Sequence, residues 1–268
     1  MRIDIGCGSV KLDGFLGVDR FSLPGVDVVC DINRGLPFAD NSVAYIHASH
    51  SLEHFEDLKR VMSEVVRVCK DRAILTIFSP YSATRLNEAN FYHLNAFNEH
   101  SARFWTNSVT SIAGCDFSDF PGSPQWGLAQ SDNSTWAASV RVLHAEYFYF
   151  PPYRLLPEQA RTLLRQTLSD VCDSFLLHCV ICKQDCSDLE LLEWSKTVDF
   201  IQSPQVVARR EMEQEAGPAN LICEMVQAPS RVERLESLVL ELKQELLALR
   251  RDLRSKGNTK KSAERNAN

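Results

Sequence analysis

Five short apolar runs, each closed by a turn residue or an acid, fill the first eighty residues and constrain the fold more than any other feature. Met1 to Ile5 ends in Gly6-Cys7-Gly8, Phe15 to Asp19 in its own aspartate, and Val26 to Cys30 in Asp31. Val43 to Ala48 and Ala73 to Phe78 follow, the last stopped by Ser79-Pro80. Between the fourth and fifth runs, Leu52, Phe55, Leu58, Met62, Val65, Val66 and Cys69 recur at helical spacing, which predicts a helix over Leu52 to Cys69. Short apolar strands joined by crossovers predict an α/β fold, a doubly wound, Rossmann-like, mostly parallel sheet.

Beyond residue 80 the pattern loosens. Residues 81 to 152 are rich in aromatics, Asn, Ser and His and are too long for a simple connection, so they are read as helices and loops covering a site. Pro157 to Val171 reads as an amphipathic helix and Phe175 to Cys182 as a closing strand, completing a domain over 1–182. Residues 183–230 are read as linker or accessory helices. A heptad run then places Val232, Val239, Leu246 and Leu253 at a positions and Leu235, Leu242 and Leu249 at d positions. Valine at a with leucine at d, and the opposite charges of Arg231–Glu236 and Glu245–Arg250, predict a parallel coiled-coil helix over 231–254 that joins two copies or a partner protein. The alternative is an amphipathic helix packed on its own domain. Residues 255–268 read as a disordered basic tail.

Composition excludes several classes. A formal charge of −6 argues against a dedicated nucleic-acid binder. No run reaches the roughly 20 apolar residues of a membrane span, and no basic leader precedes the first strand, so a cytoplasmic protein is expected. Nine cysteines scattered among apolar neighbours fit a reducing compartment. Cys172, His178, Cys179, Cys182 and Cys186 cluster in sequence, but strand alternation sends Cys179 and Cys182 to opposite faces. They are read as core residues, and no metal is expected.

A glycine turn directly after the first strand lets the backbone approach a nucleotide closely. Asp4-Ile5-Gly6-Cys7-Gly8 resembles the first motif of class I S-adenosylmethionine-dependent methyltransferases. Pro37-Phe38-Ala39-Asp40-Asn41-Ser42-Val43, Leu52-Glu53-His54-Phe55 and Val65-Val66-Arg67-Val68 resemble the later motifs of their type 11 branch. Gly8 to Asp19, with its shortened first crossover, and Tyr92-His93-Leu94-Asn95-Ala96-Phe97-Asn98 resemble compact bacterial methyltransferases of surface-polysaccharide gene clusters. Three positions depart from the pattern: Val10 replaces the third glycine, Ala44 a usual acid, and Cys69-Lys70-Asp71-Arg72 lacks the usual Gly-Gly.

The resemblance implies S-adenosylmethionine as cofactor. Asp4, Gly6, Cys7 and Gly8 would frame its methionine and ribose, and Asp19 would hold the ribose hydroxyls. Asp31 and Ile32 would meet adenine, with Ser49 and His50 beyond the fourth strand. The alternative for Asp19 and Asp31 is the capping of surface loops. His50, Glu53, His54 and His93 are the candidate bases for an acceptor hydroxyl, with Tyr81, Tyr92, Asn95, Phe97 and Trp105 as pocket walls or lid core. The expected function is O-methylation of a sugar or surface glycan. The alternatives are a degenerate scaffold acting through its coil and a methyltransferase for a small metabolite or a protein.

Overall fold

The computed structural model describes residues 1–105 and 139–215. These residues build one seven-stranded mixed sheet, ordered β3-β2-β1-β4-β5-β7-β6. The strands are β1 (Arg2–Ile5), β2 (Leu16–Asp19), β3 (Val28–Val29), β4 (Val43–Ser49), β5 (Cys69–Pro80), β6 (Ser139–Tyr149) and β7 (Cys172–Cys182). The first five are mutually parallel, and β7 runs antiparallel to both neighbours. From β1 the chain winds outwards through β2 and β3, then returns to lay β4 and β5 on the other side. The winding direction therefore reverses between β1 and β4, where open α/β sheets place their ligands.

The predicted strands are present, with shifted limits. β3 keeps only two residues, and β5 begins at Cys69, directly after the helix. The expected continuous helix from Leu52 is broken: Leu52–His54 is a single 3-10 turn, and α1 (Leu58–Val68) starts only after Asp57 caps it by accepting from Arg60 N at 2.9 Å. The larger correction concerns β6. Residues 81 to 152 are read from sequence as helices and loops, yet Ser139–Tyr149 forms an edge strand paired along β7. Buried Arg141, exposed His144 and half-buried Glu146 share one face of that strand, so its polar residues hid the strand signal. The other described residues of the segment hold α2 (Arg85–Ala89), a 3-10 turn at Ser101–Trp105 and the start of α3 (Pro151–Arg154). α4 (Glu158–Thr167) is shorter than expected and ends before Asp170, which takes a positive φ of 59° ahead of β7.

Two connections contain no helix: residues 6–15 between β1 and β2, and 20–27 between β2 and β3. Sheet register puts Asp4, Tyr45, His47, Ile74, Thr76, His178 and Val180 on one face. That face is covered from the far end of the described chain, by α5 (Asp188–Ser195), α6 (Pro204–Glu215) and the loop between them. Trp194, Val198, Phe200 and Ile201 pack on buried Leu12, Phe15, Tyr45 and Ile74, while Val206 joins Phe78, Phe148 and Leu176. Part of the 183–230 segment is thus integral to this compact unit, which extends to Gln214. The heptad run at 232–253 and the basic tail lie outside the described residues.

Polar links fix the same layer. Ile201 N donates to the Tyr45 hydroxyl at 3.2 Å, which lies 2.8 Å from Thr76 Oγ1, itself 2.9 Å from His178 Nδ1. Phe200 stacks on the His178 ring at 4.5 Å. Deep burial, with His144 alongside, pushes the His178 imidazole down to about 3. Cys172 and Cys182 stand at opposite ends of β7, and Cys179 is buried between them, so the cysteine-rich stretch does not converge on one point.

Candidate active site

Strand ends at the switch point supply every wall of an open cleft of about 250 Å³. Gly6 and Gly8 follow β1; Asp19, Arg20, Phe21 and Leu23 end and follow β2. Cys30, Asp31, Ile32 and Asn33 follow β3, and His50, Ser51, His54 and Phe55 follow β4.

The glycine turn is shaped by its neighbours. Gly6 N donates to Val18 O at 2.7 Å, carrying the β1–β2 ladder one step past the strand. Gly6 and Gly8 both take left-handed φ, 66° and 58°. A Cβ on Gly6 would lie 2.4 Å from Ser51 Cβ, so glycine there lets the turn after β1 touch the turn after β4. A Cβ on Gly8 would meet nothing within 4 Å, because that side of the loop faces the cleft.

Asp19 stands nearly buried at the end of β2 and ties the cleft together. Its Oδ2 accepts from Gly8 N and its Oδ1 from Phe21 N, each at 3.0 Å. Each oxygen keeps a lone pair, so the carboxylate is oriented by the backbone and still able to accept two hydroxyls. Asp31 works partly as a cap: Oδ1 accepts from Asn33 N at 3.2 Å and Oδ2 pairs with Arg34 Nε at 3.2 Å. Asp19 and Asp31 are thus capping residues and cleft walls at once.

Three of the residues expected at the cofactor stand off the cleft. Asp4 is buried under the β1–β2 crossover, where Oδ2 accepts from Leu12 N at 2.8 Å and Oδ1 meets His47 Nδ1 at 2.9 Å. Cys7 turns its thiol towards Gly25 O, and burial beside Asp4 and Asp19 pushes that thiol up to about 11. Ser49 lies inside β4, one residue short of the cleft. Sequence reasoning missed Arg20, Phe21, Leu23, Cys30, Asn33, Ser51 and Phe55. Phe21 and Leu23 did carry a signal: exposed apolar side chains in a loop directly after an acid-terminated strand have no core to enter.

The far end of the cleft holds the histidines. His50 N donates to Phe78 O at 2.8 Å, its backbone is left-handed at φ 48°, and its ring stands edge-on to Phe78. Behind it Glu53 is 1% exposed, with Oε1 3.5 Å from His50 Nδ1 but without a hydrogen-bond partner. The Tyr92–Asn98 segment clamps this turn. Leu94 N and Asn95 N both donate to Glu53 O, and Asn95 Nδ2 donates to Phe55 O at 2.7 Å. His54 Nδ1 lies 3.0 Å from Tyr92 O, and the His54 and His93 rings meet edge-on at 4.9 Å. His93 is held by Asn87 and Asn90, and burial lowers its basicity. The four candidate bases therefore converge, but only His50 and His54 line the cleft. Of the expected acceptor walls, Tyr81, Phe97 and Trp105 are buried core: Tyr81 donates to Glu99, and Phe97 packs on Trp105.

Residues 13–77 match the family model described as "Methyltransferase domain", about a quarter of the chain. The match begins after the glycine turn and takes in β2 to most of β5, including Asp19, Asp31 and the histidine turn. Among solved structures, the chain is similar to the YcgJ protein from Bacillus subtilis (14% identity, TM-score 0.39, covering 69% of this chain and 92% of that one). It is also similar to a putative methyltransferase from Bacillus halodurans (11%, TM-score 0.40, 69% and 92%). A SAM-dependent methyltransferase from Archaeoglobus fulgidus resembles it to the same degree (14%, TM-score 0.40, 67% and 85%). No curated protein matches the chain. Over residues 13–77 the chain is thus similar to a methyltransferase domain, and the motifs of its sequence resemble those of the S-adenosylmethionine-dependent kind. The cleft fits that cofactor: a glycine whose missing Cβ opens onto the cleft, an oriented carboxylate with lone pairs to spare, and apolar Phe21, Leu23 and Ile32 nearby.

Proposed function

We propose that the protein transfers a methyl group from S-adenosylmethionine to a hydroxyl oxygen, on a sugar or surface glycan. The observation that carries this reading is the cleft at the sheet's switch point, with the oriented Asp19 carboxylate at one end and His50 and His54 at the other. Gly6 and Gly8 give backbone close to the cofactor, Asp19 accepts from its ribose hydroxyls, and Phe21, Leu23, Asp31 and Ile32 surround its base. When bound, the cofactor supplies a methyl already activated on a sulfonium.

What remains for the protein is to align the acceptor and receive its proton. His50, backed by the buried Glu53 carboxylate, takes the proton as the acceptor oxygen forms its bond to the methyl carbon. The bound cofactor would supply the methyl, its sulfur keeping the electrons of the broken carbon–sulfur bond as leaving group. Glu53 holds the resulting imidazolium by charge. In this reading the heptad run 232–253 pairs two copies or docks a partner of the same pathway.

Asp19→Ala tests the cofactor end. Hydrogen bonds to a charged group contribute about 1.5–3 kcal/mol, so S-adenosylhomocysteine affinity in calorimetry should fall by roughly 10- to 100-fold. Affinity equal to wild type would remove Asp19 from the site, and no binding by wild type at millimolar ligand would favour a non-catalytic scaffold. Transfer of labelled methyl to a panel of glycans, small metabolites and proteins decides the acceptor.

A further inference from the structure

The cluster beside His50 contains more than a base requires. Glu53, His54 and His93 each offer one ligand atom, and the three atoms lie within 4.8 Å of one another. Two imidazole nitrogens and a carboxylate oxygen form a donor set for a borderline divalent cation such as Zn²⁺, Mn²⁺ or Co²⁺.

A second observation points the same way. Glu53 is buried to 1% exposure, and its Oε1 has no hydrogen-bond partner. A carboxylate oxygen left unsatisfied in a packed turn is costly unless something positive reaches it. His50 Nδ1, 3.5 Å away, does not complete a hydrogen bond. The imidazoles are also arranged from behind as ligands usually are. His54 Nδ1 donates to Tyr92 O at 3.0 Å and His93 Nδ1 to Asn87 Oδ1 at 2.6 Å, which turns the Nε2 lone pair of each ring, rather than Nδ1, into the ligand atom. Asn90 Nδ2 donates to His93 Nε2 at 2.8 Å, so its amide must withdraw when an ion binds. Exposed His54 can turn about its side-chain torsions to shorten the ligand separations.

We propose that Glu53, His54 and His93 bind one divalent transition-metal ion at the acceptor end of the cleft. Three protein ligands leave positions open, and His54 is a cleft wall, so an open position faces the acceptor. Its role there, resting on the methyl-transfer reading, is to coordinate and acidify the acceptor hydroxyl, a task that replaces the charge support Glu53 would otherwise give to His50.

The test uses the full chain, stripped with chelator and titrated with Co²⁺ while visible absorption and calorimetry are recorded. One Co²⁺ per chain is expected, with nitrogen and oxygen ligand-field bands. His93→Ala and His54→Ala should each weaken binding more than about tenfold, and Asn87→Ala should weaken it by roughly 10- to 100-fold through loss of orientation. Cys186→Ser should change nothing. Absent binding at millimolar Co²⁺, or affinity unchanged in both histidine variants, overturns the site. So does a thiolate charge-transfer band that vanishes in Cys186→Ser. Thermal melts confirm that the variants are folded, and exposed His54 keeps the test decisive if His93→Ala unfolds. S-adenosylhomocysteine binding measured on the same wild-type sample separates the two ideas. Retained binding without Co²⁺ sinks the ion alone, whereas lost binding sinks the methyltransferase reading and leaves the Co²⁺ result standing.

Discussion

Gly6 and Gly8 share a left-handed backbone, yet substitution at each should fail differently. Alanine in that region costs about 1–2 kcal/mol wherever it occurs. At Gly6 the new Cβ also collides with Ser51 Cβ, and the Gly6 turn cannot retreat without straining the Gly6–Val18 bond. Gly6→Ala should therefore lower the melting temperature markedly more than Gly8→Ala. Gly8→Ala should stay folded and lose S-adenosylhomocysteine affinity, because its methyl enters the cleft. Equal melting temperatures, or undiminished affinity in Gly8→Ala, would contradict this division. The family-like motifs also separate into chemistry and scaffolding at this scale. Arg67 donates to Leu36 O, Phe38 O, Asp40 and Glu64, so the Pro37–Phe38 and Arg67 motifs staple a loop to α1 and never reach the cleft. Asp4 is the same lesson inside the first motif. It was legible as important, but the sequence carried no sign that its carboxylate would serve Leu12 and His47.

Between strands, the clearest consequence is acid sensitivity. His178 sits in β7 facing Thr76 of β5 and His144 of β6, under Phe200, and Arg210 opposes its charging from α6. Its folded value of about 3 lies below the ordinary 6.5, so below pH 6.5 the unfolded chain binds a proton that the folded chain refuses. This contribution is complete above pH 6.5 and is lost as pH falls towards 3, by an amount on the order of a few kcal/mol. Urea midpoints measured from pH 7.5 down to 4 should fall less steeply in His178→Gln than in wild type; parallel curves would refute it. Elements were legible where pattern and burial agree. The parallel core strands, α1 and β7 carry strong apolar periodicity. β6 escaped because polar Arg141, His144 and Glu146 share one of its faces and a bulge at Val142–His144 breaks its alternation, and the helix break at Phe55 escaped because apolar spacing runs unbroken across it. The cofactor end of the site follows strand ends and could be read in order. The acceptor end depends on the Tyr92–Asn98 clamp, a contact between segments some forty residues apart that no local pattern encodes.

For the whole domain, the missing crossover helices and the C-terminal cover belong together. With only loops after β1 and β2, nothing local shields Leu12, Phe15 and Tyr45, and residues 194–206 do so instead. Each such side chain contributes roughly 1.5–3 kcal/mol by burial, comparable in sum to the net stability of a domain. A chain ending at Ser187 should therefore bind a hydrophobic dye and lose its cooperative melt. One ending at Ser230 should melt like the full chain and, if the heptads pair copies, show a lower mass in light scattering. A cooperative melt from the shorter chain would show that the cover is dispensable.

That cover also sets a schedule during synthesis. The cleft is built almost wholly from the first 55 residues, so its parts leave the ribosome early, but the face beneath stays greasy until some 150 further residues have been translated. At about 5–20 residues per second that is an interval on the order of ten seconds. Throughout it a nascent chain leaves that apolar face uncovered, and slow codons within 140–190 would lengthen the exposure.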